Sequence, residues 1–350
     1  MLFDSIPFVI FFVAVFFLYL ALPPKWQKWL LLGASCYFYM AFVPQYILVL
    51  FFLITIDYLL GINIEKSAGR ARVWLLMFSI AANIGMLFFF KYFNFFNQNI
   101  SALADMIHWN YSLESLAIIL PIGLSFHTFQ SLAYIFEVYR GRFAAERNYS
   151  TYALYVMFFP QLVAGPIERP AHLLPQLRIV HSFSYEKAVS GLKLLLWGLF
   201  KKIVIANNLA ILVDFIYDHL GTAHGSVVLL AVFAFAIQLY ADFSGYSDIA
   251  VGSARMLGVD LTQNFNHPYF SQSISELWRR WHISLSSWFR DYVYFPLVWA
   301  KKEWGASWTY IAIVVTFLLT GIWHGAGWNF VAMGLCFGLF ICFGLWTKPY

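Results

Sequence analysis

Two histidines set among tryptophans are the residues whose type and placement could do chemistry. His324 lies in L-T-G-I-W-H-G-A-G-W-N-F, residues 319–330, with Trp323 before it and Gly325 and Gly327 behind. An imidazole inside a membrane segment is expensive unless it faces a partner or a water-filled cavity, so it marks a functional site by default. A helix-end histidine that only hydrogen-bonds a carbonyl is the plainer alternative. His282 lies in S-I-S-E-L-W-R-R-W-H-I-S-L-S-S-W-F-R-D-Y-V-Y-F-P, residues 273–296. There Leu277, Trp278, Trp281, His282, Leu285 and Trp288 recur at helical spacing, which predicts one amphipathic helix with Glu276, Arg280 and Arg290 opposite. Taken alone, such a helix lies flat on lipid with Arg279 and Arg280 at the headgroups. No third His, Cys or carboxylate falls nearby at ligand spacing, so no metal is expected. No serine sits on a nucleophile elbow, although a Ser-His-Asp triad stays open. The remaining chemistry is general-base catalysis on a hydroxyl by a neutral imidazole, whose ordinary pKa is about 6.5.

The elements that must position these rings are membrane helices. Of 350 residues, 61% are hydrophobic and 11% charged, against about 25% charged in a soluble domain. Lipid must solvate most of this surface, and the 38 Phe and 14 Trp suit a lipid boundary with interfacial belts. The net charge of +5 comes without a basic tract on polar surface, which argues against nucleic acid and for cytoplasmic enrichment of Lys and Arg. Cys36, Cys336 and Cys342 all lie in apolar runs and read as small buried hydrophobes rather than a disulfide framework.

Hydropathy predicts about nine spans. Five lie near residues 6–22, 26–42, 46–62, 73–90 and 115–138, and the first shows no signal-peptide pattern. Loops 23–28, 63–72 and 139–150 carry eight Lys and Arg, while the Pro44 turn and loop 91–114 carry only Lys91. That asymmetry puts the N-terminus outside and the basic loops in the cytoplasm. Tyr152 to Ala164 and Ala188 to Phe200 are apolar but too short to cross, and the second stops at Lys201-Lys202. Both read as re-entrant or interfacial pieces on the cytoplasmic side, which protein or a wet cavity must cover. Further spans fit residues 203–217, 227–243, 308–323 and 329–346. The whole of 1–350 reads as one membrane domain, with no internal repeat and no Walker, dinucleotide or G-x-S-x-G motif.

W-R-R-W-H-I-S and G-I-W-H-G-A-G-W-N-F resemble the paired signatures of the membrane-bound O-acyltransferase family. Residues 120–141 (L-P-I-G-L-S-F-H-T-F-Q-S-L-A-Y-I-F-E-V-Y-R-G), 159–169 (F-P-Q-L-V-A-G-P-I-E-R), 238–248 (Q-L-Y-A-D-F-S-G-Y-S-D) and 264–269 (N-F-N-H-P-Y) are similar to its bacterial alginate O-acetyltransferase-like branch. The resemblance covers nearly the whole chain. It implies an all-α polytopic fold, a ring of helices around a thin centre where cavities from both faces meet at a histidine. It implies that His324 is the catalytic base and that His282 orients or polarises a reacting group. Candidates to meet substrate are Trp323, Trp278, Arg279, Asp242, Asn264 and Gln161. Gln161, Glu168 and Arg169 flank the Gly165-Pro166 break and suit the donor's polar end. Asp242, an acid at the end of an expected span, has a plainer reading as a helix-terminal carboxylate, and His127 reads as a helix-packing histidine. The branch usually continues through more than one span beyond the W-H-G element, whereas this sequence ends at Lys348-Pro349-Tyr350 after one.

The resulting expectation is an O-acyltransferase of the bacterial inner membrane. It moves an acyl group, acetyl above all, from a cytoplasmic thioester (acetyl-CoA or an acyl carrier) toward an extracytoplasmic polysaccharide, with no bound cofactor. Expected partners are membrane lipid, a periplasmic or extracellular polysaccharide-modifying acetyltransferase and a cytoplasmic donor protein. Within the family the alternative is D-alanyl transfer to teichoic acid, for which basic residues near Arg279, Arg280 and Lys301 suit an acidic carrier. Outside it, a glycan or lipid transporter would use the histidines as a proton relay, but the inverted repeats such a carrier should show are not found. An accessory subunit handing acyl groups to a secreted partner is the third reading.

Overall fold

The computed structural model describes residues 1–347 apart from 112 and 164, so the last residue of the expected 152–164 segment and the Lys348-Pro349-Tyr350 terminus lie outside it. Among the described residues there is no strand. The chain runs through α1 (Ile6–Ala21), α2 (Pro24–Met40), α3 (Tyr46–Lys66) and α4 (Gly69–Leu87), which passes through a π turn (Phe88–Tyr92) into α5 (Phe93–Met106). Next come α6 (Leu124–Tyr139), α7 (Tyr149–Met157), α8 (Pro170–Arg178) and α9 (Tyr185–Leu199), which a second π turn (Phe200–Ala206) joins to α10 (Asn207–Asp218). The rest is α11 (Gly225–Met256), the short α12 (Ile274–Arg280), α13 (Ile283–Phe289) and α14 (Phe295–Ala300), then α15 (Gly305–His324) and α16 (Trp328–Trp346).

Among the described residues five helical runs are long and apolar enough to cross a membrane: Tyr46–Lys66, Gly69–Met106, Gly225–Met256, Lys302–His324 and Trp328–Trp346. Of the other expected spans, α1, α2 and α6 have 16, 17 and 16 residues, short of the roughly 20 that a bilayer core asks for. The fifth expected span does not begin at Ser115: helix starts only at Leu124, after Pro121 and a left-handed Gly123 (φ 76°). The chain divides into two compact units, one of Met1–Ile47 with Asn148–Asn264 and one of Leu48–Arg147 with Phe265–Tyr350.

In the first unit α11 packs against α9, the second π turn and α10 in succession. The predicted break between a re-entrant piece at 188–200 and a span at 203–217 is therefore absent: residues 185–218 form one helical run. Lys201-Lys202 do not end it because their charges are met inside the pair. Lys201 ion-pairs with Asp248 at 2.7 Å and Lys202 with Asp242 at 2.5 Å, and paired charges can stay within a helix bundle. Backbone contact also holds the two runs together. A Cβ on Gly198 would stand 2.6 Å from the Gly245 carbonyl oxygen, and one on Gly191 would stand 2.7 Å from that of Gly252. Small residues permit this close approach between membrane helices. Helix α7 has 9 residues and is buried from Ser150 to Met157. The Phe159 N–H that follows it donates to Ser35 Oγ at 3.1 Å, so this short segment is covered by protein.

In the second unit α3, α4 and α6 enclose a polar centre. Ser79 Oγ donates to Asp57 Oδ1 at 2.6 Å, and Asn83 Nδ2 donates to both carboxylate oxygens at 2.9 and 3.1 Å. Helices α15 and α16 form an antiparallel hairpin. Two expectations fail here. Residues 91–106, read as loop, continue the α4 helix through the π turn, because nothing in F-F-F-K-Y-F-N-F-F breaks it and Lys91 finds protein partners. The single amphipathic helix expected over 273–296 is two, interrupted at Trp281-His282. Trp281 N–H closes α12 on the Leu277 carbonyl, while His282 turns left-handed (φ 44°, ψ 56°) and its carbonyl accepts the Ser286 N–H of α13.

Candidate functional site

The ends of two elements of the second unit bring the two imidazoles to one indole. His324 is the last residue of α15, and Gly325 leaves the helix in extended backbone. Its Nδ1 lies 2.7 Å from the Thr320 carbonyl oxygen. A carbonyl only accepts, so Nδ1 carries the proton and the lone pair is on Nε2. The imidazole is thus a helix-end histidine bonded to a carbonyl, as in the plainer reading, and that bond fixes its tautomer. The residue is exposed.

His282 precedes α13 and is 1% exposed. Burial, with His324 as a second influence, holds its imidazole well below the ordinary histidine range. The Trp323 ring stands 6.1 Å from His282 and 4.7 Å from His324, edge-on to the latter. Phe126 and Phe129 of α6 back that indole at 5.9 and 5.3 Å. Trp288 of α13 locks α6 in turn, its Nε1 donating to the Phe129 carbonyl at 2.9 Å. Aromatic packing in offset and edge-on geometry is specific enough to set ring positions.

The left-handed backbone at His282 gives a testable cost. Among the described residues the non-glycine positions with positive φ are three histidines, His108, His267 and His282. Histidine is enriched in this region, but β-branched residues are true outliers there. His282→Val is expected to lower the unfolding free energy by about 1–2 kcal/mol more than His282→Gly, which relieves the backbone while deleting the same ring. Melting temperatures of the two purified variants check this; equal melting would mean that the backbone at 282 carries no strain.

Helices α12, α13, α15 and α16 frame a cavity of about 600 Å³, lined by Trp278, Arg279, Arg290, Thr316, Phe317 and Thr320. It adjoins the residue whose carbonyl holds His324. Trp278 packs edge-on to Phe317 and Phe337 at 5.2 and 5.0 Å. Of the expected substrate contacts, Trp323, Trp278 and Arg279 therefore belong to the unit of the two histidines. Asp242, Asn264 and Gln161 belong to the first unit. Asp242 is not helix-terminal: it lies inside the 32-residue α11, paired with Lys202. Gln161 is buried and donates to the Tyr155 carbonyl at 2.7 Å, and Asn264 is buried at 1% exposure. Glu168 is tied up locally, accepting from Thr262 N and Oγ1 and bonding His172 Nδ1. His127 is buried in α6, and neither ring nitrogen has a hydrogen-bond partner among the described residues.

Sequence reasoning missed Lys91 and Tyr92. From the first π turn, Lys91 Nζ donates to the Trp323 carbonyl and Tyr92 OH to the Ile322 carbonyl, the latter at 2.8 Å. Helix ends leave carbonyls without intrahelical partners, and here consecutive residues of one element hold consecutive carbonyls just before His324. The available signal was a lone lysine inside the aromatic run 88–96.

The family described as MBOAT, membrane-bound O-acyltransferase family, matches residues 146–349. The "Probable alginate O-acetylase AlgI" of Azotobacter vinelandii is 38% identical over 97% of this chain and 68% of its own length. The "Peptidoglycan O-acetyltransferase" of Helicobacter pylori is 33% identical over 90% of this chain and 64% of its own. The "Teichoic acid D-alanyltransferase" of Bacillus subtilis is 30% identical over 65% of this chain and 61% of its own.

Proposed function

Because this chain belongs to the membrane-bound O-acyltransferase family, we propose that it moves an acetyl group from a cytoplasmic thioester to hydroxyls of an extracytoplasmic polysaccharide. His324 is the general base in this reading, and the observation that carries it is the Nδ1 bond to Thr320, which leaves Nε2 to take a hydroxyl proton. His282, buried and also packed near Trp323, orients the reacting groups. The cavity beside Thr320, apolar with Arg279 and Arg290 at its wall, suits a donor with an acyl chain and an anionic end. The protein works in the bacterial inner membrane with its N-terminus outside, and a secreted acetyltransferase is its partner on the polysaccharide side.

Acetyl transfer is favoured over D-alanyl transfer because the O-acetylating relatives align with 97% and 90% of this chain and the D-alanylating one with 65%. The test is purified protein in liposomes given acetyl-labelled acetyl-coenzyme A inside and polysaccharide outside. Alkali-labile label on the polysaccharide is the expected result. Label that stays on the donor, with D-alanyl groups moving instead from a loaded carrier protein, would replace this reading.

A further inference from the structure

Lys91 belongs to the helical run Gly69–Met106, one of those long and apolar enough to cross a membrane. An ammonium there is costly unless something compensates it. Among the described residues its partners are the Trp323 carbonyl and the rings of Tyr92 and Trp323, at 5.7 and 5.6 Å from the ring centroids, with no carboxylate among them. A single carbonyl uses one of the ammonium's three donors. A second donor nearby also lacks an acceptor, for the indole N–H of Trp323 is buried without a hydrogen-bond partner. Capping alone explains neither fact. Tyr92 caps the adjacent carbonyl with a neutral hydroxyl, so the helix end needs no cation. What is left is a net positive, donor-rich patch on the indole that His324 also touches.

We propose that Lys91 stabilises the oxyanion formed during acyl transfer at His324. This rests on the reading of His324 as the base. The acceptor hydroxyl gives its proton to His324 Nε2 as its oxygen bonds to the thioester carbonyl carbon. The carbonyl π pair moves onto oxygen, and that oxyanion accepts an N–H from Lys91. When the C=O bond re-forms, the C–S bond breaks and the leaving thiolate takes the proton back from His324. Donors set in advance where charge develops are worth about 10²–10³-fold in rate.

The experiment compares Lys91→Met, Lys91→Arg, Tyr92→Phe and His324→Ala as purified full-length proteins with matched melting temperatures, assayed for acetyl-coenzyme A turnover with polysaccharide acceptor. Lys91→Met should lose about 10²–10³-fold in kcat with KM little changed, because the interaction exists only once charge has developed. Lys91→Arg should recover at least about tenfold of that loss, since charge and donors return. Tyr92→Phe, which removes a cap but no charge, should stay within about tenfold of the parent. Equal losses for Lys91→Met and Tyr92→Phe would make Lys91 a helix cap and overturn the proposal, as would a rise in KM at unchanged kcat. Normal turnover by His324→Ala would remove the base and this step with it. Loss in His324→Ala with full kcat in Lys91→Met would overturn the Lys91 assignment alone.

Discussion

Gly198→Leu is expected to push α9 and α11 apart and to destabilise the first unit by about 3 kcal/mol or more, the upper range for overpacking. The contact at stake is backbone against backbone. Even a bare Cβ at 198 would stand 2.6 Å from the Gly245 carbonyl oxygen and 2.8 Å from the Ile249 nitrogen. No rotamer can relieve a clash that begins at Cβ, so the helices must move. Their separation would lengthen the Lys201–Asp248 and Lys202–Asp242 ion pairs beyond 2.7 and 2.5 Å and leave the buried Lys201 ammonium with less of its compensating charge. Gly33 is the internal control: it lies inside α2 with no atom within 4 Å of a built Cβ. Gly33→Ala should raise stability by about 0.4–1 kcal/mol by restricting the unfolded chain. The check is the melting temperature of the detergent-solubilised variants. A Gly198→Leu protein that melts with the parent would show that the two backbones do not touch.

The helical class and the two histidines were legible because they rest on local signals. Composition excluded a soluble fold, and each imidazole is marked by the tryptophans beside it in sequence. The break at His282 was not legible, since the apolar positions of 273–296 keep helical spacing through a left-handed residue. Hydropathy cannot see one backbone torsion. Lys201-Lys202 misled for a different reason. The carboxylates that neutralise them are about 40 residues further along, and a single sequence does not say that Asp242 and Asp248 return to the same level. Lys91 reads as a loop cation in sequence because its acceptor, the Trp323 carbonyl, is backbone and has no sequence signature. Asp242 reads as a span end because the apolar run stops near it, yet α11 continues to Met256 on small and polar residues that pack against α9.

In the proposed reaction the Nε2 lone pair of His324 takes the acceptor proton. His324→Ala removes that lone pair and the ring against Trp323, but alanine keeps the last turn of α15 helical, so the fold should be retained. General-base catalysis contributes about 10²–10⁴-fold, equivalent to roughly 3–5 kcal/mol of barrier at 1.36 kcal/mol per tenfold. The direct measurement is the rate of acetyl ester formation on polysaccharide by purified His324→Ala, set beside the parent at equal melting temperature. A fall of at least about a hundredfold is the result expected, and ester formation at the parent's rate would contradict the assignment.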